Sequence, residues 1–224
     1  DLHSFPTRRS SDLWISYNCA QVGTHTVTLS VTDHNGTGLT GTCTATVEII
    51  DNIAPTVVCI DTIITYLNVD GQSTINATAL DNGSTDACLP LNFQINGNNS
   101  IDFTCQNIGV NPITLTVTDA NGNAATCITQ ILVRDTVAPI VTCTDYIAHL
   151  DGNGLATVTP QMVATSALDS CGIRNYQFID GTILSNNLTF DCNAIGNHNV
   201  SVIVTDINNN ATTCAAIITV QDTV

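Results

Sequence analysis

The chain has 224 residues, only 10% of them charged; four arginines and no lysine stand against 19 acids, for a formal charge of −15 and a pI near 4.1. So acidic a surface repels phosphate and excludes nucleic acid as a partner, and no apolar run approaches the roughly 18 to 20 residues that a membrane helix needs, so no membrane insertion is expected. Hydrophobic residues make up 43%, enough for real cores, and they fall in short alternating runs rich in Thr, Val and Ile between Asn, Asp and Gly turns, which predicts an all-β protein.

Residues 1–13 share nothing with the rest of the chain. His3 to Leu13, HSFPTRRSSDL, resembles the conceptual translation of a sequencing adapter, so the segment is read as an artefact joined to a truncated gene, disordered and set aside from the fold. It carries two Arg and two Asp, and the net charge of the remainder is still −15.

From Trp14 onward the chain repeats itself. Gly23-THTVTLSVTDHNG-Gly36, Gly109-VNPITLTVTDANG-Gly122 and Gly196-NHNVSVIVTDINN-Asn209 align, each succeeded by a Thr-Cys pair ending at Cys43, Cys127 or Cys214 and then by Asp51, Asp135 or Asp222. The spacing is 84 residues from Cys43 to Cys127 and 87 from Cys127 to Cys214, the size of one small sandwich domain. Asp51-Asn-Ile-Ala-Pro55 and Asp135-Thr-Val-Ala-Pro139 mark boundaries, since proline cannot donate to a strand ladder. The expected division is 14–54, the C-terminal part of a truncated first repeat; 55–138, a complete second; and 139–224, a complete third.

In the second repeat Val57 to Leu67, Ser73 to Leu80, Leu91 to Ile95, Ile101 to Cys105 and Ala125 to Val133 read as strands. Ile113, Leu115 and Val117 alternate with Thr114, Thr116 and Thr118 as in a half-buried strand, and Asp119-Ala-Asn-Gly122 closes a hairpin. Six or seven strands in about 85 residues predict tandem immunoglobulin-like β-sandwich domains.

The ten cysteines divide into Cys59, Cys88, Cys105 and Cys127; Cys143, Cys171, Cys192 and Cys214; and Cys19 with Cys43. No Cys-x-x-Cys occurs, so the pattern reads as disulfides in an oxidising compartment. Four cysteines allow three connectivities. Cys59 and Cys127, like Cys143 and Cys214, lie near the starts of the first and last strands at one pole, which pairs them; elimination then joins Cys88 to Cys105 and Cys171 to Cys192. Cys19 and Cys43 are expected to be unpaired by truncation.

Asp51-x-x-Ala-Pro55-x-Val-x-Cys59, Asp86-Ala-Cys88 and Val117-Thr-Asp-Ala-Asn-Gly-Asn-Ala-Ala-Thr-Cys127 closely resemble the hyalin repeat (HYR) family of extracellular immunoglobulin-like modules. The four-cysteine form is similar to tandem repeats of large surface proteins in gliding bacteria that use type IX secretion. The resemblance implies an extracellular or cell-surface stalk, spacer or adhesive array, with neighbouring repeats as partners and no catalytic residue to carry over. The chain departs from the pattern at Asn208-Asn-Asn210 and in the longer turn His34 to Gly41.

Nearly every acid is an aspartate in a turn. Asp135, Asp169 and Asp206 at the junction of repeats two and three, and Asp51, Asp81, Asp86 and Asp119 at the preceding junction, are candidate ligands for calcium, which favours oxygen donors; the arrangement is similar to cadherin linkers without their full ligand set. Against it stands the role of Asp and Asn as turn formers. His25 and His198 share a repeat position with Asn111 and read as exposed corner residues. No nucleophile motif points to an enzyme, and Trp14 is no stacking platform. Two alternatives stand beside the stalk: an adhesin that recognises a glycan or protein through its loop tips, and accessory repeats of a secreted hydrolase.

Overall fold

The computed structural model describes residues 15–32 and 38–222; the adapter-like segment, Trp14 and residues 34–37 of the longer turn lie outside them. The first unit is a single antiparallel hairpin, β1 (Gly23–Thr32) with β2 (Thr40–Ile49), preceded by a 3-10 turn over Cys19–Gln21.

The second unit has six strands: β3 (Thr62–Tyr66), β4 (Gln72–Asn76), β5 (Asn92–Ile95), β6 (Ser100–Thr104), β7 (Gly109–Thr118) and β8 (Ala124–Arg134). One sheet runs β3-β8-β7-β5 and the other pairs β4 with β6. β3 lies parallel to β8, whereas the remaining pairs are antiparallel. The facing sheets enclose Leu67, Ile75, Leu80, Ile95, Phe103, Leu115, Val117, Ile131 and Val133. This is an immunoglobulin-like sandwich. Period-two alternation builds it: Leu115 and Val117 on β7 are fully buried while Thr114 is exposed.

Two expected strands are shorter than the sequence suggests. Val57 to Leu67 is not one strand, because Thr56 and Cys59 bridge to Thr85 and Asp81 before Thr62 joins β8. The segment crosses from one layer to the other. Ser73 to Leu80 leaves extended geometry at Asn76 and turns through a 3-10 segment, Ala77–Leu80, which seats Ala77 and Leu80 in the core.

The third unit repeats the plan with β9 (Ile140–Cys143), β10 (Tyr146–His149), β11 (Leu155–Val158), β12 (Ala164–Leu168), β13 (Ile173–Asp180), β14 (Ile183–Ser185), β15 (Leu188–Asp191), β16 (Gly196–Asp206) and β17 (Ala211–Gln221). Its larger sheet runs β10-β17-β16-β13-β14, faced by the pairs β11-β15 and β9-β12. A second core gathers Leu150, Val158, Val163, Phe178, Phe190, Val202, Val204, Ile218 and Val220. The second and third units each have a core of their own.

Candidate functional site: the junctions between repeats

The turns after β7 and β16 tie down the linkers that precede their repeats. Asp119 Oδ1 accepts the backbone N–H groups of Asn121 (2.8 Å) and Asn123 (2.9 Å), and its Oδ2 accepts Asn123 Nδ2 at 2.8 Å. Asn123 Nδ2 also reaches the carbonyl of Asp51 in the linker at 3.2 Å. In the next repeat Asp206 receives Asn208 N, Asn210 N and Asn210 Nδ2, each at 2.8 Å, and Asn210 Nδ2 donates to the Asp135 carbonyl at 3.4 Å. The recurring Thr-Asp-x-x-x-Asn motif is therefore a clamp on the linker backbone. Burial works to raise the Asp119 carboxyl, but the Asn123 side chain and the backbones of Asn121, Asn123 and Gly122 outweigh it and hold it below the ordinary value. Where the second repeat has Gly122 at φ +93°, the third has Asn209 at φ +73°, a residue that tolerates the left-handed region, so the substitution preserves the turn.

The disulfides join repeats as well as closing them. Cys59 is bonded to Cys127 and Cys143 to Cys214, each bond within one sandwich. Cys88 is bonded to Cys19 of the preceding repeat, with Cα atoms 5.1 Å apart, and Cys105 to Cys171 of the following one, at 5.2 Å. The pairs Cys88–Cys105 and Cys171–Cys192 expected by elimination are thus corrected, as is the unpaired state of Cys19. Elimination assumed that each sandwich satisfies its own four cysteines. Instead Cys88 sits beside the turn that clamps the preceding linker, its carbonyl accepting Ala120 N, while Cys105 opens a 3-10 turn at the other pole, its Sγ 3.9 Å from the Gly71 carbonyl. Cys43 and Cys192 are free and exposed. Cys192 opens the same kind of turn as Cys19 and Cys105, with its Sγ 3.7 Å from the Gly154 carbonyl.

A close approach accompanies the second staple. Ser170 Oγ donates to the Val69 carbonyl at 2.7 Å. Gly71, at φ +71°, leaves room for this contact: a Cβ there would lie 2.7 Å from Cys105 Sγ and 3.1 Å from Ser170 Cβ.

Of the seven acids proposed as ligands, the structure brings two pairs together. Carboxylate oxygens of Asp51 and Asp86, with Cys88 Sγ, lie within 4.8 Å of one another, and so do those of Asp135 and Asp169 with Cys171 Sγ. Both sulfurs are in disulfides and are not thiolate donors. Asp119 and Asp206 adjoin these pairs but spend their oxygens on the clamp, and Asp81 caps its own turn by accepting Ser84 N and Gly83 N. Burial of Asp81 favours its neutral form, yet the Ser84 side chain and the backbones of Ser84 and Gly83 hold its carboxyl low. Asp135 differs from both. Burial pushes its carboxyl up, opposed by the Val137 N–H and reinforced by the charges of Asp169 and Asp206.

His25 and His198 are half-buried rather than exposed corners. Their Nε2 atoms meet the carbonyls of Gln21 (2.5 Å) and Ala194 (2.6 Å), and Asn111 Nδ2 reaches the equivalent Asn107 carbonyl at 2.7 Å. All three close the 3-10 turn with a side-chain nitrogen, which explains the exchange of His for Asn. Pairwise spacing in the sequence carried no signal for this, nor for the inter-repeat bonds.

No protein family model matches the chain, and no curated protein does. Solved structures similar to it include the I67-I69 I-band fragment of titin (10% identity, 92% of this chain and 76% of that one, TM-score 0.44). Mouse clustered PcdhgC3 EC1-3 is 15% identical over 90% of this chain and 78% of that one, with a TM-score of 0.38. The fibronectin(III)-like modules of Clostridium thermocellum CbhA are 18% identical over 75% of this chain and 94% of that one, with a TM-score of 0.28. Likenesses at this level carry no information about partners. Among the described residues no helix is long and apolar enough to cross a membrane, and four disulfides are what an oxidising compartment maintains.

Proposed function

We propose that this chain is a non-catalytic segment of an extracellular or cell-surface stalk, divided at 14–54, 55–138 and 139–224, of the kind that hyalin-like repeat arrays build in bacterial surface proteins. What supports the reading most is the pair of inter-repeat disulfides, Cys19–Cys88 and Cys105–Cys171, at equivalent positions of successive repeats. A covalent bond between beads adds nothing to a catalytic or ligand site within one bead. Its physical effect is to limit how far one bead swings against the next, and the Asn123 and Asn210 clamps on the linkers act in the same direction.

Small-angle scattering of the oxidised chain tests this. A narrow distribution of overall lengths is expected, broadening in the Cys105→Ser/Cys171→Ser variant while both sandwiches stay folded by circular dichroism. Indistinguishable scattering from the two proteins would remove the mechanical role and shift weight to loop-tip recognition, which glycan-array binding would then reveal.

A further inference from the structure

The disulfides leave one feature of the junctions without an account. Asp135 is only 8% exposed, and its Oδ1 accepts Val137 N at 2.9 Å, but its Oδ2 is fully buried with no hydrogen-bond partner. A buried carboxylate oxygen without a partner is costly and uncommon in native folds. The charges that act on this carboxylate make matters worse, since those of Asp169 and Asp206 are both negative. The chain has no lysine and four arginines with which to answer them. At the preceding junction Asp51 Oδ2 is likewise buried and unpartnered beside Asp86. The same orphaned oxygen in the same place in two repeats indicates a site that lacks its counter-charge.

We infer that each junction binds one hard divalent cation, calcium in the first instance, between Asp135 and Asp169 and again between Asp51 and Asp86. Calcium takes carboxylate oxygens at 2.3–2.6 Å, so two oxygens sharing one ion lie at most about 5 Å apart. The carboxylate oxygens here lie within 4.8 Å of one another. Asp135 and Asp169 face the same narrow cleft at the second junction, together with Asn68, Val69, Val137 and Ser170. Calcium also tolerates irregular geometry and completes its shell with backbone carbonyls and water, which suits two carboxylates carried on separate loops. The ion bridges the linker residue Asp135 to Asp169 in the third sandwich's loop beside Cys171, adding a second, reversible tie next to the disulfide.

Titration calorimetry and thermal melts of the oxidised full chain test this with calcium chloride, magnesium chloride and sodium chloride at matched ionic strength. Two equivalents of calcium with dissociation constants of about 0.1 to 1 mM are expected, the range of extracellular modules. At about 10 mM the melting midpoint should rise by several degrees over the value in chelator. Asp135→Asn reports the sign most sharply. In chelator it should raise the midpoint, by removing an uncompensated buried charge; in calcium it should lower it and leave one equivalent bound. Asp169→Asn, at a less buried residue, gives the same loss of one equivalent should the first variant fail to fold. Absence of calcium heats up to about 10 mM in the wild-type chain, well above the expected dissociation constants, or two equivalents still bound by either variant, overturns the inference. Neither outcome touches the stalk reading, which rests on the oxidised staples.

Discussion

Removing the Cys105–Cys171 bond gives the sharpest check on how the repeats are joined. The loop it closes spans 66 residues, and neither intra-repeat disulfide offers a shorter covalent path between its ends. In the chain-entropy model a loop of that length lowers the entropy of the unfolded chain by about 15 cal/mol/K, or about 4 kcal/mol at 25 °C. For a chain of this size that corresponds to a fall in melting midpoint of about 8 to 16 °C. Cys105→Ser/Cys171→Ser should show it in a calorimetric melt under non-reducing conditions, with the Cys59–Cys127 and Cys143–Cys214 bonds intact by mass mapping. The bond is also visible directly, as a peptide containing both Cys105 and Cys171 after non-reducing pepsin digestion. A peptide joining Cys88 to Cys105 would refute the inter-repeat assignment, and an unchanged midpoint would refute the loop-entropy account.

Three further outcomes are expected. Treatment of the native oxidised chain with a maleimide should add two labels, at Cys43 and Cys192; labelling of Cys19 or Cys88 would contradict the first staple. Gly71→Ala should lower stability by about 2 kcal/mol or more, combining left-handed backbone with a Cβ driven onto Cys105 Sγ, whereas Gly97→Ala, at φ +79° with nothing within 4 Å of its Cβ, should cost only the backbone term of about 1 kcal/mol; equal losses in urea unfolding would mean that the close approach is absent. Asp119 is held below its ordinary value of 3.8, so its contribution to stability is complete above that pH and disappears as pH falls through the lower folded value. Asp119→Asn should accordingly be less stable at about pH 7 and show a shallower loss as pH falls below about 4; parallel acid limbs in the two proteins would rule this out.

Much of the sandwich was legible because its signals are local. The alternation of Ile113, Leu115 and Val117 with threonine records one buried face, and the recurrence of Thr-Asp-x-x-x-Asn records a turn whose hydrogen bonds span four residues. Pairing Cys59 with Cys127 required only the knowledge that first and last strands start at one pole. The inter-repeat bonds were not legible, because nothing in the spacing of Cys88, Cys105 and Cys171 says which pole each faces. That depends on the loops that carry them: the Cys88 loop meets the Asp119 turn, and the Cys105 turn meets Gly71. The acids show the same division. All seven looked alike as turn aspartates, and only the hydrogen bonds in three dimensions separate Asp119, Asp206 and Asp81, whose oxygens are occupied, from Asp135 and Asp51, each with one left bare. The split of Val57 to Leu67 was hidden because a strand that changes sheets keeps an extended, apolar pattern throughout.

The overlapping disulfides also set how the chain would respond to being pulled. Tension entering at Cys19 passes through sulfur to Cys88, runs along the backbone to Cys105, and leaves through sulfur to Cys171. Only the 17 residues from 88 to 105 lie on that route, and fully drawn out they span about 60 Å. Without the two bonds the same load would follow the backbone from 19 to 59, cross the Cys59–Cys127 bond and run on from 127 to 171, a path of 84 residues that spans about 290 Å fully drawn out. Most of the second sandwich is therefore shielded from force, and an oxidised array yields little length before covalent bonds carry the load, whereas a reducing agent would turn the same sequence from a tether of nearly fixed length into an extensible one.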